Sequence, residues 1–563
     1  MKKFLTALTI ALLASCSLLD EKNTSYPTAD DYYISAEHLH TALNGLYDPA
    51  RSIYGATFFQ LSECATDIIF LSSNSRPDAN CIVSPTKPGH GATVWKHSYV
   101  GIMRANEVLE LSKSALDKEY IDQEEYHAIA GEALVMQAFY YYVLTSVFGD
   151  VPFYTCRVTE ENRAEIAHLG RTSATEIRDQ LIDGLFRALL PVSRGGREWL
   201  PLQRSYSTGT DYHAGAALGL TVALKFCMWN HRWDDALTAV ATLEDIYGHY
   251  ADNPAAFGTD YPLTDIPFSV KWTRESIFEI SNRVEPYGQQ NYYALGSYVT
   301  PTHTASQEDD DLQEAASDPA SDVYDGLAVP AFGKYIRTYK AARPNNYFCR
   351  ELMPYDSKDL RSGEYSAGAT EPRGGSGNLA WAWPGYKADD VLRTEEKVLP
   401  FGSCANASGG VDKSKRPWLG NKFWCPGMYY NRDSNNPKVF RFAGVLLNAA
   451  EAQLMKGDLE QACKYLSIIK TRAGLDAVTA EEWSYNSDDI MEEIRRECAR
   501  ELFGEFQRKF DLVRWGIWYE RTLRYSNSGY LYQYIRPYHE YYPIPQDQVN
   551  YSEGALDNKA YEE

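Results

Sequence analysis

What this chain lacks narrows its roles before any motif is considered. Past its first residues it has no apolar run near the roughly 20 residues that a membrane-spanning helix needs. Cations are scarce: 55 Lys and Arg stand against 76 Asp and Glu, a formal net charge of −21. So acidic a surface disfavours nucleic acid and anionic lipid as partners. The ten cysteines include no CxxC pair, which argues against a zinc ribbon and a thioredoxin-like centre. HExxH, GxSxG and the phosphate-binding loop are all missing, and nothing marks a nucleophile. The acidic run Glu308 to Asp311 lacks the spacing of a calcium loop and reads as a solvated loop, so no metal site is assigned. No strict 34-residue self-similarity occurs, so any repeat is architectural only.

What is present begins at Cys16. Lys2 and Lys3 precede an apolar stretch from Phe4 to Ala14, too short to cross a bilayer, and Leu12-Leu13-Ala14-Ser15-Cys16 reads as a bacterial lipobox. The expectation is that residues 1–15 are a removed signal peptide, that Cys16 carries lipid, and that residues 16–35 form a polar tether. Several acyl chains, worth about 0.8 kcal/mol per buried CH2, then hold the chain on a membrane. Nine cysteines follow Cys16, and the odd number leaves at least one free thiol. Cys227, Cys463 and Cys498 fall on apolar helical faces and read as buried hydrophobes.

The 563 residues are 44% hydrophobic, enough for a large core. Residues 36–563 divide into an N-terminal helical part (36–250), a loop-rich region (251–438) and a C-terminal helical part (439–563). Between 122 and 147, Ile129, Ala133, Met136, Tyr140, Val143 and Val147 form one apolar stripe, with a second beside it. A helix apolar over so wide an arc is buried between neighbours. Gly149 predicts a left-handed cap, and Pro152 prevents resumption. Ser173 with Glu176 predicts a capping box for the next helix, which Pro191 ends. Helices near 211–230 and 233–248 form an antiparallel hairpin across Asn230-His231-Arg232. A second hairpin sets Ala443, Leu447, Ala450 and Leu454 against Ala462, Leu466 and Ile469 across a Gly457-Asp458 turn. The middle region is rich in Gly, Pro, Ser and Asn and predicts short elements and functional loops.

A set of motifs occurs in a fixed order along this frame. Trp95 with Tyr99 and Arg104-Ala105-Asn106 comes first, then Glu132-Ala133-Leu134 and Phe148-Gly149-Asp150-Val151-Pro152. Gly170-Arg171-Thr172, Trp233-Asp234-Asp235-Ala236 and Glu275-Ser276-Ile277-Phe278-Glu279-Ile280 follow. Leu446-Leu447-Asn448-Ala449-Ala450-Glu451-Ala452, Arg472-Ala473-Gly474-Leu475 and Arg500-Glu501-Leu502 come next, before Phe510-Asp511-Leu512-Val513-Arg514-Trp515-Gly516 and Tyr542-Pro543-Ile544-Pro545. Each alone is weak, but the ordered set resembles the SusD/RagB family of Bacteroidetes outer-membrane lipoproteins. The resemblance implies a mainly α fold, an α-helical superhelix with four tetratricopeptide-like helix pairs plus an irregular half carrying ligand loops. It also implies non-catalytic binding of oligosaccharide or polysaccharide at the cell surface, with no cofactor. The implied partner is a SusC-like TonB-dependent transporter, and the implied location is the outer membrane, lipid-anchored. Relatives often place several acidic residues directly after the lipidated cysteine; here only Asp20 and Glu21 stand near it.

Sugar sites combine aromatic faces, which stack on the CH-rich faces of rings, with planar Asn, Asp or Arg groups for the hydroxyls. In starch-binding relatives these groups come from the segment ahead of the Trp-x3-Tyr helix and from the region after the Glu-Ser-Ile-Phe-Glu strand. The matching intervals here hold Arg76, Asp78 and Asn80, then Tyr287, Tyr292, Tyr293 and Tyr298. Trp381 and Trp383 share one side of an extended segment and suit either ligand or burial beneath the Gly-rich loop. No Trp lies between residues 70 and 94, so starch is not favoured. Trp95, Phe510, Trp515 and most of the 42 Tyr read as scaffold. Peptide capture on the same fold is one alternative. A surface glycoside hydrolase is a weaker one, because two carboxylates about 5 to 10 Å apart cannot be seen in sequence. Cys16→Ala is expected to release the protein from the membrane fraction of cells that lack the transporter; unchanged attachment there contradicts the lipobox reading.

Overall fold

The computed structural model describes residues 32–71, 76–201, 213–282, 342–345, 347–353, 358–361, 422–423, 435–483, 487–526 and 528–562. Cys16 and the acidic run at 308–311 lie outside them. Helices α1 (Ala36–Asn44) and α2 (Tyr47–Ile53) lead to two long ones, α3 (Gly91–Asp117) and α4 (Gln123–Phe148). Next come α5 (Ala174–Leu189), α6 (Ala216–Asn230) and α7 (Trp233–Tyr247). The C-terminal part holds α8 (Phe442–Met455), α9 (Leu459–Arg472), α10 (Ser487–Glu501), α11 (Arg508–Arg514), α12 (Trp518–Tyr525) and α13 (Gly529–Tyr534). Two small antiparallel sheets join distant segments: β1 (Ile69–Leu71) pairs with β3 (Ala342–Pro344), and β2 (Ser276–Glu279) with β4 (Lys438–Arg441).

Both predicted hairpins form. His231 makes the α6–α7 turn in the left-handed region (φ 56°), and Gly457 (φ 85°) does so between α8 and α9. Helices pack in succession, α3 on α4, α4 on α6, α5 on α6 and α6 on α7. Helix α8 then packs on α7 as well as on α9 and α10, so the late hairpin extends the early stack although nearly 200 residues separate them in sequence. Tyr140, Tyr141 and Phe139 on α4 are fully buried, as its wide apolar arc predicts. A Cβ at Gly101 would run into the Tyr140 ring, so this glycine lets α3 and α4 approach closely. Cys227, Cys463 and Cys498 are buried free thiols, as expected.

Two local expectations need correction. Gly149 does end α4 at positive φ, but at φ 69° and ψ −120° it is not the left-handed cap predicted. Ser173 makes no capping bond; Asp150 from the same Phe-Gly-Asp-Val-Pro stop reaches across, and its Oδ1 accepts from Ala174 N at 2.8 Å. Thr172 and Val151 exchange backbone bonds (3.2 and 2.9 Å) that hold the two segments together. The capping box instead forms on α4, between Asp122 and Glu125.

Several of the ordered motifs meet in one buried ionic cluster. Glu501 on α10 accepts from Arg472 Nη2 at 2.6 Å, Arg441 Nη2 at 2.9 Å and Arg361 Nη1 at 2.9 Å. Glu275, just ahead of β2, takes Arg441 at 2.8 Å and Arg472 at 3.0 Å, and its Oε1 also accepts from Ala443 N in the first turn of α8. Glu505 closes the other side with Arg441 and Lys422, both at 2.6 Å. All these side chains are at most 3% exposed.

Burial alone would raise the carboxyl of Glu497, but Arg361 and Arg500 beside it outweigh that cost and hold it at about 2, and Glu501 and Glu505 are likewise held below their ordinary range. A carboxylate depressed in the fold adds stability that is complete above its unfolded value of 4.5 and is lost as pH falls toward 2. Denaturant titrations are expected to show stability falling steeply between these limits. Glu501→Gln, which leaves three buried guanidiniums short of a charge, is expected to cost about 3 kcal/mol at neutral pH. A loss below about 0.5 kcal/mol would contradict the role given to this cluster.

Candidate functional site

The interval ahead of α3 meets the C-terminal segment that follows α12. Residues Asp78–Asn80 form a single tight turn that Cys81 ends in the left-handed region. Asp78 and Asn80 are buried and spend their polar atoms on the protein. Asp78 Oδ1 accepts from His90 N at 2.8 Å and Tyr542 Oη at 3.2 Å. Asn80 Nδ2 donates to Arg76 O at 2.9 Å, and its Oδ1 is 3.3 Å from Ser528 Oγ. Burial pushes the Asp78 carboxyl up to about 6, against the pull of the His90 N–H. Of the three candidates here, only Arg76 faces solvent.

Ser528 starts α13, accepting from Leu531 N at 3.2 Å. Leu531 and Ile535, four residues apart, share one face and pack with Trp518, Leu512 and Cys81. The rest of this short helix is turned outward. Tyr530, Tyr532 and Tyr534 are 40%, 44% and 43% exposed, large rings on a surface where big apolar groups are sparse. Tyr530 and Tyr534 lie on the same side one turn apart, while the Tyr532 hydroxyl donates to the Ser526 carbonyl.

Tyr534 continues into a cleft of about 270 Å³ whose other walls include Val83, Lys87, Arg536, Tyr538 and His539. Arg536 is braced by its own segment, donating to Ile535 O at 2.7 Å and Gln533 O at 3.2 Å. His539 Nδ1 accepts from Arg536 N at 3.0 Å, and burial lowers this imidazole to about 4, so it is neutral at pH 7. Beneath it Lys509 donates to His539 O at 2.8 Å and sits between the Trp518 and Tyr542 rings, 4.8 and 4.9 Å from their centroids. Burial pushes the Cys81 thiol up to about 12, which removes it as a nucleophile. Among the described residues no group of three or more His, Cys, Asp or Glu is placed to hold a metal.

Exposed rings on a braced helix, edged by Arg and Lys donors, suit the stacking and hydroxyl pairing that saccharides require. The sequence reading picked out the 76–80 interval but missed its neighbour. The available signal was the alternation Tyr530-Leu-Tyr-Gln-Tyr534 within a polar stretch. Tyr287, Tyr292, Tyr293, Tyr298, Trp381 and Trp383 lie outside the described residues. Trp95 is 5% exposed with its ring edge-on to Phe148 at 5.1 Å, and Trp515 donates its indole N–H to Glu451 at 3.0 Å.

Comparison with known proteins agrees with this frame. The SusD family model matches residues 365–561, and a second, for starch-binding proteins associating with the outer membrane, matches residues 17–198. SusD-like protein P25 of Formosa agariphila is 24% identical over 595 residues, covering 98% of this chain and 97% of its own. Surface glycan-binding protein A from Bacteroides uniformis superposes with a TM-score of 0.62 at 20% identity, over 93% of this chain and 99% of that one. Its namesake from Bacteroides thetaiotaomicron, solved in complex with laminarihexaose, gives a TM-score of 0.60 at 19% identity, over 92% and 98%. With both helical parts matched, a relative aligned along nearly the whole length and the same mainly helical fold in these structures, the chain belongs to the SusD-like family.

Proposed function

We propose that this chain captures an oligosaccharide at the cell surface without cleaving it and delivers it to a SusC-like TonB-dependent transporter, with the lipid on Cys16 as its membrane anchor. The observation that carries the reading is the pair of exposed rings Tyr530 and Tyr534 on one side of a helix pinned from beneath and packed on the 78–80 turn, with Tyr532 exposed on its other side. Arg76, Tyr287, Tyr292, Tyr293, Tyr298, Trp381 and Trp383 are proposed as further ligand contacts, and Asp78 and Asn80 as the buried frame of the loop. No carboxylate is among the described residues that line the adjoining cleft, so the acid pair of a glycosidase has no counterpart there. A structurally similar protein was solved with laminarihexaose, which makes β-linked glucan the first cargo to try.

Calorimetric titration of laminarihexaose, maltohexaose, other plant and microbial oligosaccharides and short peptides tests this, with product analysis on the same samples. Saturable binding of one glycan class with no products is expected. Tyr530→Ala combined with Tyr534→Ala is expected to weaken that binding about thirtyfold, or about 2 kcal/mol for two stacking rings, with the melting temperature unchanged because both rings are exposed. Released sugars would reject the non-catalytic reading. Binding of peptides alone would replace glycan as the cargo, and full affinity in the double variant would move the site off this face.

A further inference from the structure

A second cleft, of about 500 Å³, opens between α3, α4 and α5. Its most telling residue is Gly184, in the interior of α5. Glycine weakens a helix relative to alanine, so a helical glycine calls for a reason. At three other helical glycines the reason is crowding. A Cβ at Gly101 meets the Tyr140 ring, one at Gly131 meets Leu200, and one at Gly219 meets Leu189 and Val135. A Cβ at Gly184 meets nothing within 4 Å, and the space it would enter is the cleft. Packing does not require this glycine; an open cleft does.

The walls are chemically specific. Trp199 is fixed beside the end of α5 by its backbone N–H, which donates to Ala188 O at 2.8 Å. Its ring stacks on His127 (5.0 Å between centroids, 11° between planes) and meets Tyr126 at 5.8 Å. The indole N–H of Trp199 is buried and has no acceptor among the described residues. Arg157 on the rim is already committed, to Glu107 at 3.4 Å and Glu110 at 3.8 Å. Arg187 is not: it lines the cleft, is exposed and forms no ion pair among the described residues. Arg197, two residues before Trp199, is also exposed and has no ion-pair partner among the described residues. Of the other charged lining residues, Lys113 pairs with Asp117 and Glu110 with Arg157, which leaves Arg187 as the lining cation without an ion-pair partner among the described residues.

We infer that this cleft is a second binding site, separate from the tyrosine face, for a saccharide that bears a carboxylate or sulfate. The sugar ring stacks against the Trp199–Tyr126 wall, and the anionic group pairs with Arg187, whose planar fork matches an oxyanion in two-point contact. Gly184 leaves room for the ring.

Trigalacturonate and a heparin-derived tetrasaccharide are titrated into the mature protein, with laminaritriose as the neutral control. Saturable binding of at least one anionic probe is expected, weakened about tenfold or more by Gly184→Leu, by Arg187→Gln and by about 0.5 M NaCl. The Tyr530→Ala/Tyr534→Ala variant is expected to bind that probe normally, so failure here and failure at the tyrosine face are read separately. Gly184→Leu should keep its melting temperature, because the new side chain enters open space; should it not fold, the exposed Arg187→Gln carries the test alone. The inference is overturned if neither anionic probe binds, if laminaritriose displaces the bound probe, or if binding is lost in the tyrosine variant and kept in Gly184→Leu.

Discussion

Glu501 receives three buried guanidiniums, and the arrangement of the whole chain depends on those pairings being complete. Each partner arrives from a different segment: Arg441 from β4, Arg472 from the end of α9, and Arg361 from residues 358–361. A buried charge without its partner costs several kcal/mol, so only a fold that gathers every member at once is stable. Glu275 extends the requirement to β2 and to the start of α8, fixing the strand pair against the second hairpin. The neighbouring set works in the same way. Asp67 takes Arg508 of α11 at 2.6 Å together with Arg521 of α12, and Arg521 also reaches Glu492 on α10. Two ionic clusters, each with members on α10, therefore brace the C-terminal helices as far as α12, the helix that delivers the chain to Ser528 and α13.

That frame gives the tyrosine face its physical meaning. Aromatic platforms bind flexible sugars best when the protein side is already ordered, because ordering on contact subtracts from affinity. Leu531 and Ile535 are held in an apolar cluster with Trp518, whose indole N–H donates to Ala65 O at 2.8 Å. The three tyrosines are thus displayed from a fixed base. The second cleft lies in the helical N-terminal part, on different elements. A protein with both would hold a long or mixed glycan at two places.

The helical frame was legible in the sequence because it rests on local period and turn chemistry. Ile129 to Val147 announced a buried helix, and Asn230-His231-Arg232 and Gly457-Asp458 announced hairpins, without reference to any partner. The cluster around Glu501 was not legible in the same way. Glu275-Ser-Ile-Phe-Glu, Arg472-Ala-Gly and Arg500-Glu-Leu stood out as motifs, but which arginine meets which glutamate is decided by packing over 197 residues in the case of Arg472 and Glu275. The cap of α5 failed for a related reason. Ser173 and Glu176 have the right spacing, yet the preceding stop delivers Asp150 to the first N–H of the helix, that of Ala174, and Ser173 makes no capping bond. At the candidate site, the 76–80 interval was found through family resemblance. Tyr530, Tyr532 and Tyr534 were missed because tyrosine is abundant throughout the chain and only burial separates a displayed ring from a packed one.

Amide hydrogen exchange, followed along the chain with and without a bound oligosaccharide, tests the central claim most directly. A rigid ionic frame that presents one tyrosine face predicts new protection in residues 76–90 and 526–541. The segments carrying Arg441, Arg472 and Glu501 should already exchange slowly in the free protein and change little on binding. Protection that leaves 526–541 untouched, or fast exchange around Glu501 before ligand is added, would contradict the account.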